Sequence, residues 1–142
     1  MNDTLTTPTP DRRPFEFTGR VRSFRHAVRG LGRMVRGQHN AWIHAAATAG
    51  VIAAGFAVRL SAGDWCWVVL AVAIVWTAEA LNTAFEFLAD VASPSFHPVV
   101  RDAKDVAAGA VLVTAVAAAV IGGIVFWPHV AALVPVGSGP EG

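Results

Sequence analysis

Residues 79–90 read Glu-Ala-Leu-Asn-Thr-Ala-Phe-Glu-Phe-Leu-Ala-Asp, inside a long hydrophobic run. The residues before it, Trp65 to Ala78, carry no charge. At about 100° per residue on a helix, Asn82 lies about 60° from Glu79, and Glu86 and Asp90 each lie about 20° from it. Three acids and an amide therefore share one helix face. Ionisable groups inside a membrane helix are costly and mark functional sites, so we expect the function to reside on this face.

The composition is typical of a membrane protein. The chain has 142 residues, enough for one domain, of which 54% are hydrophobic and only 15% charged. The net charge of +1 hides an asymmetry, because most of the eleven basic residues precede the first apolar run. These are Arg12, Arg13, Arg20, Arg22, Arg25, Arg29, Arg33 and Arg36.

Three apolar runs predict an all-α integral membrane protein with three transmembrane helices. A helix needs about 20 mostly apolar residues to cross a bilayer. The predicted spans are about 41–59, 65–89 and 106–128. Pro94 indicates that the second helix ends before the third begins.

An amphipathic helix is predicted over about 15–40, ahead of the first span. Its apolar residues recur every three or four positions, and arginines fill much of the remainder. This pattern favours a helix lying on anionic headgroups, with a soluble helix as the alternative. Residues 1–14 are expected to be a disordered tail and residues 135–142 a flexible one, so the folded domain is 15–134.

The positions of the basic residues predict the orientation in the membrane. The amino-terminal segment is rich in arginine, the second loop has Arg101 and Lys104, the first loop has only Arg59, and the carboxyl-terminal tail has none. Basic loops stay in the cytoplasm. The amino terminus and the acidic face are therefore expected on the cytoplasmic side.

A mixed cluster of charges is expected where the acidic face ends. After a short loop come His97, Arg101, Asp102, Lys104 and Asp105, of which Arg101 and Asp102 are expected to lie in a solvated loop. Phosphoryl transfer needs carboxylates for a divalent metal, cations for phosphate and a carboxylate base. The chain has no Walker A motif and no protein-kinase signature. The residues by themselves thus indicate a membrane protein with a cytoplasmic metal or phosphate site.

The same residues resemble the signature of a known family. The matching positions are Glu79 to Glu86, Asp90, His97, Ala103 to Val111 and, upstream, Gln38 to His44. They look like those of the small bacterial membrane kinases, the prokaryotic diacylglycerol kinases and undecaprenol kinases. The likeness covers about Phe24 to Pro128.

The resemblance implies a lipid kinase of the bacterial inner membrane. It implies a homotrimer with active sites between subunits, Mg²⁺ as cofactor, and transfer of the ATP γ-phosphate to a membrane-lipid hydroxyl. The stretch Asn40 to His44 favours undecaprenol as the acceptor, with diacylglycerol close behind. No nucleic-acid partner is expected.

The resemblance also assigns roles by matching position. Glu79 would be the catalytic base, and Glu86 would bind the metal that bridges the ATP phosphates. Asn82 and Asp90 would support the site. The ATP-binding residues would be Glu86, Ser93, Pro94, Ser95, Lys104 and Asp105.

The chain departs from the family at its second metal-binding Glu, which matches Gln38 in some members and Ala45 in others. Gln38 is a possible substitute ligand. Two alternatives stay open. A catalytically impaired member could act as a structural membrane protein, and a transport subunit would carry acids on more than one span.

Overall fold

A computed structural model describes residues 17–132 and contains, in that range, four helices and no strand. The helices are α1 (Phe17–Gly37), α2 (His39–Ala57), α3 (Ala62–Ala92) and α4 (Pro98–Ala131). The predicted all-α class is confirmed. The two predicted tails, 1–14 and 135–142, lie outside the described residues.

Two of the described helices, α3 and α4, are long and apolar enough to cross a membrane. Their 31 and 34 residues correspond to roughly 45 to 50 Å at about 1.5 Å per residue, which exceeds a hydrocarbon core of about 30 Å. Both helices therefore extend beyond the spans predicted for them. Helix α2 corresponds to the first predicted span, has 19 residues and begins with the polar His39 and Asn40. It is not among the helices that meet this standard within residues 17–132.

The connection between α3 and α4 is shorter than expected. Only residues 93–97 are non-helical, and Pro98 occupies the first turn of α4, where its missing N–H costs nothing. Arg101 and Asp102 are helical, so the expectation of a solvated loop at these positions is wrong. The polar composition there reflects a helix that continues past the apolar zone.

A break at Gln38 separates α1 from α2. Gln38 is extended, with φ −112° and ψ 122°, and caps α2. Its backbone N–H donates to the Met34 carbonyl at 2.9 Å and closes the last turn of α1. Helix α1 therefore ends at Gly37, about one turn earlier than predicted. Met34 and Ala41, on either side of the break, are fully buried. The break anchors both helices near α3 and leaves the Gln38 side chain close to α3.

The apolar stripe of α1 has no partner within the described chain. Val21, Phe24, Val28 and Leu31 are all exposed, with Phe24 at 72%. A stripe of this kind is expected of a helix whose apolar face enters a membrane interface.

The far ends of α2 and α3 meet at a tight turn. Ser61 and Asp64 form a reciprocal capping box that starts α3. Gly55 permits close approach, since a Cβ there would lie 2.8 Å from the Trp65 ring. Helices α3 and α4 pack along each other far more extensively than α2 packs against α3. The hairpin of α3 and α4 is thus the most extensively packed part of the described fold, and α2 packs against it over a smaller surface.

Candidate active site

Three polar side chains of α3 are buried within its apolar surroundings. Glu79 is 1% exposed, Asn82 5% and Thr83 3%. Glu79 Oε2, Asn82 Oδ1 and Thr83 Oγ1 have no hydrogen-bond partner in the described part of the chain. Buried polar groups without partners are costly, and in a native site they point to a ligand or another chain.

Glu86, two turns beyond Glu79, is held by two amides. Gln38 Nε2 donates to Glu86 Oε2 at 2.6 Å, and Asn82 Nδ2 donates to Glu86 Oε1 at 3.3 Å. Both carboxylate oxygens therefore have a donor. Gln38, the possible substitute ligand, thus forms a hydrogen bond with Glu86, the predicted metal-binding acid.

His44, on α2, faces Glu79. Its Nε2 lies 3.8 Å from Glu79 Oε2, and its side chain is 15% exposed. Sequence reasoning assigned His44 no role at this site. The available signal was its position as the only readily ionisable side chain in the first apolar run.

Lys104, on the first turns of α4, reaches back to the acidic face. Its Nζ donates to Asp90 Oδ1 at 2.9 Å, so the predicted cation and the last predicted acid meet. Asp105 instead faces Arg101 of its own helix at 3.6 Å, with both side chains about two-thirds exposed. Such an exposed pair contributes little to stability, and it is separate from the Lys104 contact.

The connection 93–97 is held by local hydrogen bonds of Ser93. The Ser93 backbone N–H donates to the Ala89 carbonyl at 2.9 Å, and Ser93 Oγ donates to the Ser95 carbonyl at 2.9 Å. Pro94 and Ser95 are exposed. This loop follows Asp90 at the end of α3, but within residues 17–132 it makes no hydrogen bond to Glu79 or Glu86.

The donors around Glu86 suit a hard divalent cation. The Glu86 carboxylate is flanked by the amides of Gln38 and Asn82, which direct their nitrogens at it. The Asn82 oxygen is buried and unpartnered within residues 17–132, and rotation of either amide would turn its oxygen toward a cation. No group of three or more His, Cys, Asp or Glu side chains that could hold a metal occurs between residues 17 and 132. Mg²⁺ usually takes one or two carboxylates together with substrate phosphates. The site therefore fits Mg²⁺ that arrives with a phosphate ligand.

An apolar cleft of about 510 Å³ lies between α2, α3 and α4. Its walls are mainly small or branched apolar residues, including Ala47, Val68, Val75, Ala118 and Gly122. His44 lines this cleft and also a smaller cavity of about 220 Å³ that contains Asn40 and Asn82. His44 is thus shared between the apolar cleft and the contact with Glu79, which itself lines neither cavity.

Comparison with known proteins agrees with this geometry. The profile of the family described as prokaryotic diacylglycerol kinase matches residues 25–126. The chain belongs to this family. It is a membrane-integral lipid kinase, and the predicted resemblance to this family is confirmed.

Several relatives in this family are similar over most of the chain. An undecaprenol kinase of Bacillus subtilis (strain 168) is 41% identical over 107 residues, which are 75% of this chain and 87% of that protein. A diacylglycerol kinase of Synechocystis sp. is 37% identical over 112 residues, 78% of this chain and 64% of the relative. A diacylglycerol kinase of Escherichia coli (strain K12) is 28% identical over 116 residues, 75% of this chain and 93% of the relative.

Proposed function

We propose that this chain transfers the γ-phosphate of Mg-ATP to the hydroxyl of a membrane lipid at the cytoplasmic face of the bacterial inner membrane. The observation that carries the proposal is the position of the buried Glu79. His44, which lines the apolar cleft, lies 3.8 Å from Glu79. Glu86 follows on the same helix face, with two amides hydrogen-bonded to it. An apolar acceptor and a phosphate-bound metal could therefore meet along α3.

Glu79 acts as the base. The lipid O–H bond breaks as its proton passes to the Glu79 carboxylate, the lipid oxygen bonds the γ-phosphorus, and the bond from that phosphorus to ADP breaks. Glu86, Gln38 and Asn82 would hold Mg²⁺, which when bound neutralises phosphate charge. Glu79 is almost fully buried, so water has little access to compete as the acceptor.

Lys104 provides the cation for the ATP phosphates. In the ligand-free chain its ammonium rests on Asp90, and a bound phosphate offers it a stronger partner. Asp90 then serves to hold Lys104 near the acidic face. Asp105 and the loop Ser93, Pro94 and Ser95 are proposed to contact the nucleotide from the same end of the hairpin.

The acceptor's hydrocarbon chain occupies the apolar cleft. Undecaprenol is the favoured acceptor, with diacylglycerol next. The stretch Asn40 to His44 and the 41% identity with an undecaprenol kinase support this order.

The membrane arrangement follows from the charges and apolar faces. Helices α2, α3 and α4 cross the bilayer, α1 lies on its cytoplasmic surface, and the amino terminus is cytoplasmic. The arginines of α1 and the exposed Phe24 support this placement. A homotrimer is proposed from the resemblance to the family.

Purified protein given ATP radiolabelled at the γ-phosphate, with undecaprenol and diacylglycerol in parallel, tests the proposal. We expect labelled lipid in both reactions and faster labelling of undecaprenol. Equal failure with both lipids would instead favour the catalytically impaired alternative, which the missing acid at Gln38 motivates. The transport alternative predicted acids on several apolar runs, whereas α2 carries none.

Gly122→Leu tests the cleft in the same assay. Gly122 lines the cleft and a Cβ there meets nothing within 4 Å, so the leucine side chain should occupy cleft volume. We expect a higher KM for the lipid and an unchanged KM for ATP. Gly50→Leu is the matched control, because Gly50 also has open space around it but is not part of the cleft lining. Equal lipid KM values for the two variants would remove the cleft from acceptor binding.

A further inference from the structure

The contact between His44 and Glu79 is longer than a hydrogen bond, although the Glu79 oxygen has no other partner in the described chain. Glu79 Oε2 is enclosed and has no hydrogen-bond partner within residues 17–132. The His44 Nε2 lies 3.8 Å away, beyond the hydrogen-bond range of about 2.7–3.2 Å. A base in an unliganded site often shows such a long contact, which tightens when substrate binds.

We infer that His44 is the positioning residue for Glu79 in the proposed lipid phosphorylation. Its Nε2–H donates to Glu79 Oε2 when the acceptor is bound. The carboxylate is thereby held with Oε1 free to take the proton from the lipid hydroxyl. The inference rests on the proposed function, because it concerns how that function's base is oriented.

Two features of the fold support this role. His44 lines both the apolar cleft and the smaller cavity beside Asn82, so a bound acceptor would contact it. Hydrogen bonds from Gln38 to Glu86 and from Trp76 to Thr48 hold His44 against α3, so a small change of its side-chain torsions closes the gap of about 1 Å to hydrogen-bond distance.

Among the groups near Glu79, His44 is the imidazole that faces its Oε2, whereas the buried Thr83 hydroxyl one turn on makes no hydrogen bond within residues 17–132. Glu86 also acts electrostatically on Glu79, and as a carboxylate it cannot donate. The Asn82 amide donates to Glu86 instead. An ionised base held only by like charge is poorly oriented, whereas an imidazole N–H fixes one of its oxygens.

A pair of variants separates a donor from a space-filling role. His44→Gln keeps an N–H donor at about the reach of Nε2, and His44→Leu fills similar volume without one. We expect His44→Leu to lower kcat by roughly tenfold to a hundredfold, at most the lower limit of the roughly 10²–10⁴-fold that general-base catalysis itself contributes. The KM for Mg-ATP should stay within about twofold of the native value. His44→Gln should recover most of the lost kcat.

Controls keep the test decisive. His129→Leu removes a histidine at the opposite end of the fold, where it contacts the Val125 carbonyl, and should leave kcat unchanged. If His44→Leu does not fold, His44→Asn replaces it, since the shorter amide cannot reach Oε2.

The outcomes distinguish this inference from the function on which it rests. Native protein that labels no lipid would contradict the proposed function itself. An active native protein with unchanged kcat in His44→Leu would overturn only the role of His44. Equal losses in His44→Gln and the non-donor variant would show that packing, not donation, is what His44 supplies.

Discussion

Gln38 Nε2 donates a 2.6 Å hydrogen bond to Glu86 Oε2, joining the break before α2 to the acidic face of α3. Two carboxylates at this contact would repel each other without a metal between them, whereas an amide and a carboxylate attract. Both oxygens of Glu86 are therefore satisfied by hydrogen bonds. In the proposed metal site, Gln38 supplies one negative charge fewer to Mg²⁺ than a glutamate would.

Gln38→Glu should increase the affinity for Mg²⁺. The added carboxylate supplies charge that the amide lacks, and we expect the Mg²⁺ concentration at half-maximal rate to fall by roughly tenfold. Initial rates against free Mg²⁺ at saturating ATP measure this. Gln38→Leu, which has no oxygen ligand, should move the same concentration upward. An identical Mg²⁺ dependence in both variants would place Gln38 outside the metal site.

Glu86→Gln should have the opposite and larger effect. It removes the carboxylate on which Gln38 and Asn82 converge, while the new amide keeps the volume. We expect the Mg²⁺ requirement to rise at least about tenfold, or turnover to stop, because hard cations need charged oxygen ligands. The measurement is the same Mg²⁺ titration. A native titration curve would contradict the assignment of Glu86.

Lys104→Met should weaken ATP binding. Lys104 forms a salt bridge with Asp90 at the acidic face. Its loss would remove a cationic hydrogen-bond donor to the ATP phosphates, and we expect the KM for ATP to rise about tenfold. Arg101→Met is the matched control. Arg101 is exposed and, within residues 17–132, forms a salt bridge with Asp105 one turn on and with no other acid, so its removal should change the KM by less than about twofold. Equal effects of the two variants would indicate general electrostatic attraction rather than a specific contact.

Gly55→Ala should destabilise the fold without touching the site. Its Cβ would lie 2.8 Å from the Trp65 ring and 3.0 Å from Leu60, and overpacking of this kind costs about 1–3 kcal/mol. Gly50→Ala has open space and should be neutral or stabilising by up to about 1 kcal/mol, as alanine favours a helix. Thermal unfolding in one detergent compares them. Equal midpoints would mean that α2 does not approach α3 this closely.

The helices and the shared acidic face could be predicted from the sequence because both depend on local periodicity. Apolar run lengths predict helices, and the 3.6-residue repeat places Glu79 and Glu86 on one face of α3. The contacts of Gln38 with Glu86 and of His44 with Glu79 could not be predicted this way. They join residues more than thirty positions apart, and their pairing depends on how α2 packs against α3 and α4.

The start of α4 was mispredicted for a different reason. Arg101 and Asp102 are polar, and polarity next to a proline resembles a loop. Pro98 instead occupies a helix first turn, where proline is favourable. Polarity there marks the edge of the apolar zone, not the end of the helix.

The transfer of radiolabelled γ-phosphate from ATP into extracted lipid, by native protein and by Glu79→Gln, tests the central claim most directly. Glutamine keeps the size of Glu79 but cannot accept the proton. We predict rapid labelling of lipid by the native protein and loss of nearly all labelling in Glu79→Gln, with its oligomeric state unchanged. Labelling by Glu79→Gln at the native rate would contradict the account, because the buried carboxylate would then not be the base.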